Sequence, residues 1–245
     1  MPLEPQAPTA STLPLRTRIK VCGLTRTEDV DAAVQAGVDA IGLVMYAKSP
    51  RAVAPHRLPA LLERLPAFVT PVLLFVNAAA AEVEAALKLA PHALLQFHGD
   101  EPPSVCNAFG RAYIRAARVP TAPGAPGFDL LEYAARFPTA GGLLLDAHVD
   151  GYGGSGQTFD WTAFNWSQLP PSVSSRLVLS GGLTPANVTD GVRTVRPSAV
   201  DVSSGVEQTG PDGLPVKGIK DPEKIHRFVA AVRAADPNPI GSHHV

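Results

Sequence analysis

The sequence predicts a single (β/α)8 barrel. Eight short, almost uniformly apolar runs recur along the chain, segments with helical spacing lie between them, and 245 residues suit a barrel of eight such units. An open doubly wound sheet is the alternative, but no GxGxxG follows the first strand, so a dinucleotide fold lacks its signature.

The strands are expected at Arg18–Val21, Ala40–Met45, Val69–Val76, Ala93–Phe97, Tyr113–Ala117, Gly142–Leu145, Leu177–Ser180 and Ala199–Val202. Each is bounded by glycine or polar residues and lacks polar alternation, the pattern of strands buried on both faces. The first helix reads as Glu28–Ala36, with Glu28 and Asp29 after Thr27 as its start and Gly37 as its stop. Ala79–Leu89 and Pro185–Val192 carry the same spacing, and Cys106 falls inside another helical segment, where packing is its expected duty. Pro120–Phe128 and Gln208–Gly218, rich in proline and glycine, read as surface loops, and no internal linker splits the chain. Residues 18–235 therefore form one domain, between a flexible N-terminal extension (1–17) and a flexible tail (236–245).

Composition narrows the function. The chain is 45% hydrophobic, with 21 Lys and Arg against 22 Asp and Glu and a net charge of -1, so neither nucleic acid nor an anionic membrane is an expected partner. Two cysteines far apart make neither a disulfide framework nor a four-ligand metal site, and the seven histidines show no HExxH spacing. Met1–Thr17 lacks the basic start and apolar run of a signal peptide, and no apolar stretch reaches the roughly 18 residues of a membrane span. A cytoplasmic protein is expected.

In a barrel all strand C-termini share one face, and residues there converge although distant in sequence. Read in order, those ends carry Cys22, Tyr46–Arg51, Asn77, Gln96–Glu101, Arg115, Asp146, Ser180–Leu183 and Asp201–Glu207. Gly181–Gly182 and Ser203–Ser204–Gly205 close the seventh and eighth strands, where backbone N–H groups and hydroxyls can meet a phosphate. Cys22 reads either as a small core filler or as chemistry at a strand end, and His98 either as a base or as a loop-shaping residue. Asp150–Trp161 holds four glycines and reads equally as a surface loop or a mobile lid.

Taken together, "KVCGLT" (20–25), "DAIGLVMYAKSPRAV" (39–53), "LLQFHGDE" (94–101), "LLLDA" (143–147), "GGSGQTFDW" (153–161), "LSGGLTPANV" (179–188) and "VDVSSGVE" (200–207) resemble the phosphoribosylanthranilate isomerase family of the tryptophan pathway. The resemblance implies a cofactor-free Amadori rearrangement of N-(5'-phosphoribosyl)anthranilate, a phosphorylated sugar-anthranilate substrate, in a monomer or homodimer. It implies Cys22 as general base and Asp146 as general acid. It further implies Arg51 on the anthranilate carboxylate, His98 and Asp201 as substrate contacts, and Gly181, Gly182, Ser203, Ser204 and Gly205 around the phosphate. Two other functions stand beside it. A histidine-pathway sugar isomerase performs the same type of rearrangement but would end the first strand in aspartate; a non-catalytic phosphate-ligand module would need neither Cys22 nor Asp146.

Overall fold

Eight parallel strands close into a barrel: β1 (Arg18–Cys22), β2 (Ala40–Val44), β3 (Thr70–Phe75), β4 (Leu94–Phe97), β5 (Tyr113–Pro120), β6 (Gly142–His148), β7 (Leu177–Leu179) and β8 (Ala199–Val202). The structure is a computed structural model and describes residues 16–120, 127–148, 160–161 and 164–236. The expected tails up to Leu15 and from Pro237, and the glycine-rich segment apart from Asp160 and Trp161, lie outside the described residues, and so does the lid reading.

Closure falls at the β1–β8 seam, where Lys20 sits opposite Asp201 and Val21 opposite Val202. Alternation along each strand then sorts the side chains into two sets. Ile19 and Val21 join the main buried layer that also takes in the helices, whereas Cys22 joins an interior cluster with Val44, Leu74 and Val76. Val72, Ile114, Ala116, Leu144 and Val178 fill the barrel nearer the strand starts. The interior is thus filled with hydrocarbon near the strand starts, and toward the strand ends buried polar groups lie beside the Cys22 cluster.

Around the sheet lie α1 (Thr27–Gln35), α2 (Leu58–Leu62), α3 (Ala80–Leu89), α4 (Pro103–Asn107), α5 (Leu130–Arg136), α6 (Pro171–Ser174), α7 (Val188–Val195) and α8 (Pro222–Ala235). In α8 the helix-spaced Ile225, Phe228, Val229 and Val232 are buried, and Asp221 caps it by accepting from Glu223 N and Lys224 N at 2.9 and 3.2 Å. This helix returns the described chain to its start: Thr17 N donates to Asp236 Oδ1 at 2.9 Å, and Arg233 Nη1 donates to Thr17 O at 2.7 Å.

Two expectations need correcting. The helix expected from Pro185 starts at Val188, because Thr184–Asn187 forms a turn in which Asn187 Oδ1 accepts from Thr184 N at 2.8 Å. Gln208–Gly218 is mostly not a loop: β9 (Glu207–Thr209) and β10 (Pro215–Lys220) pair antiparallel as a small second sheet. Proline and glycine there mark the hairpin's turn and flanks, with Gly213 at φ 79.

At Gly205 the β8 loop packs backbone to backbone against the β7 loop; an added Cβ would lie 1.9 Å from the Leu183 carbonyl oxygen. Gly205→Ala should therefore cost about 1–3 kcal/mol in urea denaturation, as overpacking does. Gly127→Ala, which meets nothing within 4 Å, should stay within about 0.5 kcal/mol.

Candidate active site

Cys22 ends β1 at the barrel mouth and is 5% exposed. It fits because β2 presents Gly42 beside it: a Cβ there would stand 2.5 Å from Cys22 Sγ. One pleat below, Lys20 Nζ donates to Asp201 Oδ1 at 2.8 Å, a buried ion pair across the barrel seam. Burial pushes the Cys22 thiol up from its ordinary value, Lys20 and Lys220 pull it down, and Asp201 pushes it up again; the net direction is up. Asp201 is raised in its turn, by burial first, against the pull of Lys20.

Asp146 lies near the end of β6, 8% exposed. His98, just past β4, reaches it with Nε2 3.2 Å from Asp146 Oδ2. Gln96 lies one pleat below His98, its amide nitrogen 3.1 Å from His98 Nδ1. With the Gln96 amide nitrogen assigned toward the ring, Nδ1 is the acceptor and Nε2 is the ring nitrogen that can donate to Asp146. Gln96 Oε1 is buried without a hydrogen-bond partner among the described residues.

His98 is held from outside the barrel. Arg115 donates to the carbonyls of Phe97 and Gly99, each at 2.9 Å, and to Glu101 Oε2 at 3.2 Å. Glu101 in turn accepts from Asn77 N at 2.7 Å and Gly99 N at 2.9 Å. Arg115 and Glu101, both read from sequence as rim residues, thus brace the loops after β3 and β4, and Arg115 lies over the Phe137 ring. Cys106 lies in α4, fully buried, with its thiol pushed up to about 11 by burial.

Arg51 forms a two-pronged pair with Glu207: Nε donates to Oε1 at 2.6 Å and Nη2 to Oε2 at 2.8 Å, leaving Nη1 outside that pair. Glu207 also accepts from Gly218 N at 2.8 Å, and Lys220 Nζ lies 3.3 Å away. After β7, Gly181 and Gly182 take φ of 80 and 63, values that side chains resist. Ser203–Gly205 follows β8 and presses on the β7 loop at Leu183. The structure brings Cys22, His98, Asp146, Arg51, Asp201 and both glycine-serine loops to one rim. Lys20 and Gln96, and likewise Glu207 and Lys220, carried no assigned role in the sequence, although Gln96 and Glu207 lie within the expected rim runs 96–101 and 201–207. The first two carry a faint signal, a polar residue two positions before a rim residue and so on the same strand face.

Around the rim the order is Asp146 on β6, the glycine and serine loops of β7 and β8, Cys22 on β1, then Arg51 after β2. A thiol and a carboxyl group flank two loops rich in glycine and serine, with a guanidinium beyond. That layout suits proton transfer on a phosphorylated substrate carrying a second anion. Among the described residues no group of three or more His, Cys, Asp or Glu could hold a metal, and no helix is long and apolar enough to cross a membrane.

Comparison with known proteins agrees with that chemistry. The family model described as N-(5'-phosphoribosyl)anthranilate (PRA) isomerase matches residues 19–231. An N-(5'-phosphoribosyl)anthranilate isomerase of Methylibium petroleiphilum is 60% identical over 228 residues, covering 93% of this chain and 99% of the relative. The crystal structure of the Thermotoga maritima phosphoribosyl anthranilate isomerase superposes with a TM-score of 0.72 at 36% identity, over 89% of this chain and 99% of that one. A further isomerase structure, in complex with reduced 1-(o-carboxyphenylamino)-1-deoxyribulose 5-phosphate, matches at 33% identity and a TM-score of 0.68, over 89% of this chain and 99% of that one.

The Glu207 pair makes a pH prediction. Burial alone would raise the Glu207 carboxyl, but the Arg51 hydrogen bond, the Lys220 charge and the Gly218 N–H outweigh it and hold the group below its usual 4.5. A depressed carboxyl stabilises the fold above the unfolded value and loses that contribution as pH falls through the folded one. Glu207→Gln should thus be less stable than the parent by about 3–5 kcal/mol at neutral pH, as when one partner of a buried pair is removed. The gap should close on acidification below about 4.5 in urea titrations. A gap constant with pH would show that the carboxylate charge is not what Arg51 and Lys220 need.

Proposed function

The chain belongs to the N-(5'-phosphoribosyl)anthranilate isomerase family and is an isomerase of the tryptophan pathway, and on that premise we propose that Cys22 is its general base and Asp146 its general acid. The observation that carries this reading is the order around the rim, where the two groups flank the loops of β7 and β8. A sugar phosphate anchored on those loops would have a proton donor on one side and an acceptor on the other.

The reaction divides between them. Asp146 protonates the furanose oxygen, the C1'–O bond breaks, and the ring opens to a Schiff base. Cys22 then takes the C2' proton, and the electrons of that bond make the enolamine, which tautomerises to the 1-amino-1-deoxy ketone. One donor and one acceptor are enough. If His98 Nε2–H engages Oδ2, the proton that Asp146 transfers sits on Oδ1, the oxygen nearer Gly181. The thiol has the harder task, since burial favours its neutral form; Lys20 and Lys220 supply the positive charge that opposes burial. Serine there would fail, because a hydroxyl is far too weak an acid to give its anion near neutral pH.

Arg51 is the proposed partner of the anthranilate carboxylate. Glu207 orients its planar fork through Nε and Nη2 and leaves the Nη1 edge to the substrate. Asp201, committed to Lys20 through Oδ1, is read as a substrate contact through its other oxygen. Gly181, Gly182, Ser203, Ser204 and Gly205 are read as the phosphate contacts, and the chain's setting as the cytoplasm.

Loss of the fluorescent anthranilate substrate reports turnover. Cys22→Ala, Cys22→Ser and Asp146→Asn should each lose about a hundredfold or more in kcat with normal thermal melts, while Cys106→Ala keeps its activity. A well-folded, active Cys22→Ala protein would sink the base assignment. Arg51→Lys should raise KM and leave inhibition by inorganic phosphate as it was; parallel weakening of both would move Arg51 into the phosphate site.

A further inference from the structure

Beneath the β8 loop lies an ionic cluster that itself neither gives nor takes a proton in the reaction. Two cations share one carboxylate: Arg51 grips both oxygens of Glu207, and Lys220 Nζ lies 3.3 Å from Oε1. The three groups sum to one excess positive charge, and Lys220 and Glu207 are 0% and 1% exposed. Asp29 does not neutralise the excess. Its Oδ2 accepts the Lys220 backbone N–H at 3.3 Å, but Arg26 already pairs with both of its oxygens. A buried cation in surplus is costly until an anion comes to it.

The remaining contacts of Lys220 give that anion a place. Its ammonium donates to the Ser203 carbonyl at 2.9 Å and lies 3.4 Å from Ser203 Oγ. With the ammonium on the acceptor side of the hydroxyl, the Ser203 O–H proton is free to point elsewhere. The Arg51 stem and the serine also flank Gly23, where an added Cβ would lie 2.5 Å from Arg51 Cδ and 3.1 Å from Ser203 Oγ.

We propose that Lys220 is a positioning residue for phosphate recognition: it pins Ser203 from below and holds in reserve the positive charge that the substrate's phosphate offsets. Through Glu207 the same lysine is tied to Arg51, so the sites for the two anionic ends of the substrate are held at a set spacing. β10 thereby carries Lys220 under the rim, which gives the second sheet a role in substrate binding. The inference rests on the reading of Ser203 as a phosphate contact.

The test compares Lys220→Gln, Lys220→Met and Ser203→Ala in turnover and in inhibition by inorganic phosphate. Both Lys220 variants should raise KM and the phosphate inhibition constant together, by about tenfold or more, a paired shift that the loss of a charge near Cys22, which would lower kcat, does not by itself produce. A lysine that only held the hairpin in place would lower the melting temperature without that selective loss. Unchanged phosphate inhibition in Ser203→Ala would overturn the underlying phosphate reading. Weakened inhibition in Ser203→Ala with normal inhibition in both Lys220 variants would overturn the Lys220 inference alone. Should neither Lys220 variant fold, the Cys22→Ala protein decides. Burial sets Lys220 below the ordinary lysine value; the charged groups that face it are Arg51 and Glu207, with Asp29 and Arg26 against its backbone, residue types that do not ordinarily change charge between about 7 and 10. The rise in melting temperature that sulfate produces should therefore shrink as pH climbs from about 7 to about 10. A constant response would overturn the inference.

Discussion

The β1–β8 seam is the constraint on which the rest of the molecule depends. At this join two strands 181 residues apart are matched by a buried pair, Lys20 with Asp201, directly opposite each other. A slip of one residue would turn one of the two charges out among the helices, leave the other inside without its partner, and drive Ile19 or Val200 inward. No such slip is tolerable, because an unpaired charge in that layer costs several kcal/mol. With the register pinned, Cys22 and Ser203 lie two residues beyond the pair on adjacent strands, so the thiol and the serine loop are neighbours by construction.

Much of the rim is then a problem of close approach. Gly42 makes room for a sulfur atom, Gly205 for a carbonyl, and Gly23, at φ 74, for a guanidinium stem and a hydroxyl. These glycines do different work from the ones in turns. They let two polar loops and a charged side chain converge over a hydrocarbon plug. Low polarity beneath and fixed dipoles above are conditions under which a few charges govern the protonation of a thiol.

The sequence made the barrel legible because strands buried on both faces are apolar without interruption, so each strand stood out against its flanks. Cys22 and Asp146 were legible for the converse reason: each is an ionisable group near the end of such a run. The family motifs then named roles that composition and spacing left open. What stayed hidden were relationships. Glu207 is 156 residues from Arg51, and nothing local to either marks the pair. Lys220 reads as one more lysine before a helix. The β9 strand has three residues, too few for any periodicity, and its proline- and glycine-rich surroundings imitate a loop. The onset of α7 was misplaced because a turn closed by the Asn187 side chain resembles a first helical turn in sequence.

The hydrogen bonds that join Thr17 to Asp236 and Arg233 have a topological consequence. They tie the two limits of the described fold together at the floor of the barrel, where β1 begins, while the chemistry occupies the roof where the strands finish. Strand neighbours in a closed ring do not depend on where the backbone is cut. The fold is therefore suited to circular permutation, with the old limits spliced at the floor and new ones opened there in another strand-entry turn. A tethered second domain would likewise attach on the side remote from the reacting sugar, leaving the mouth unobstructed.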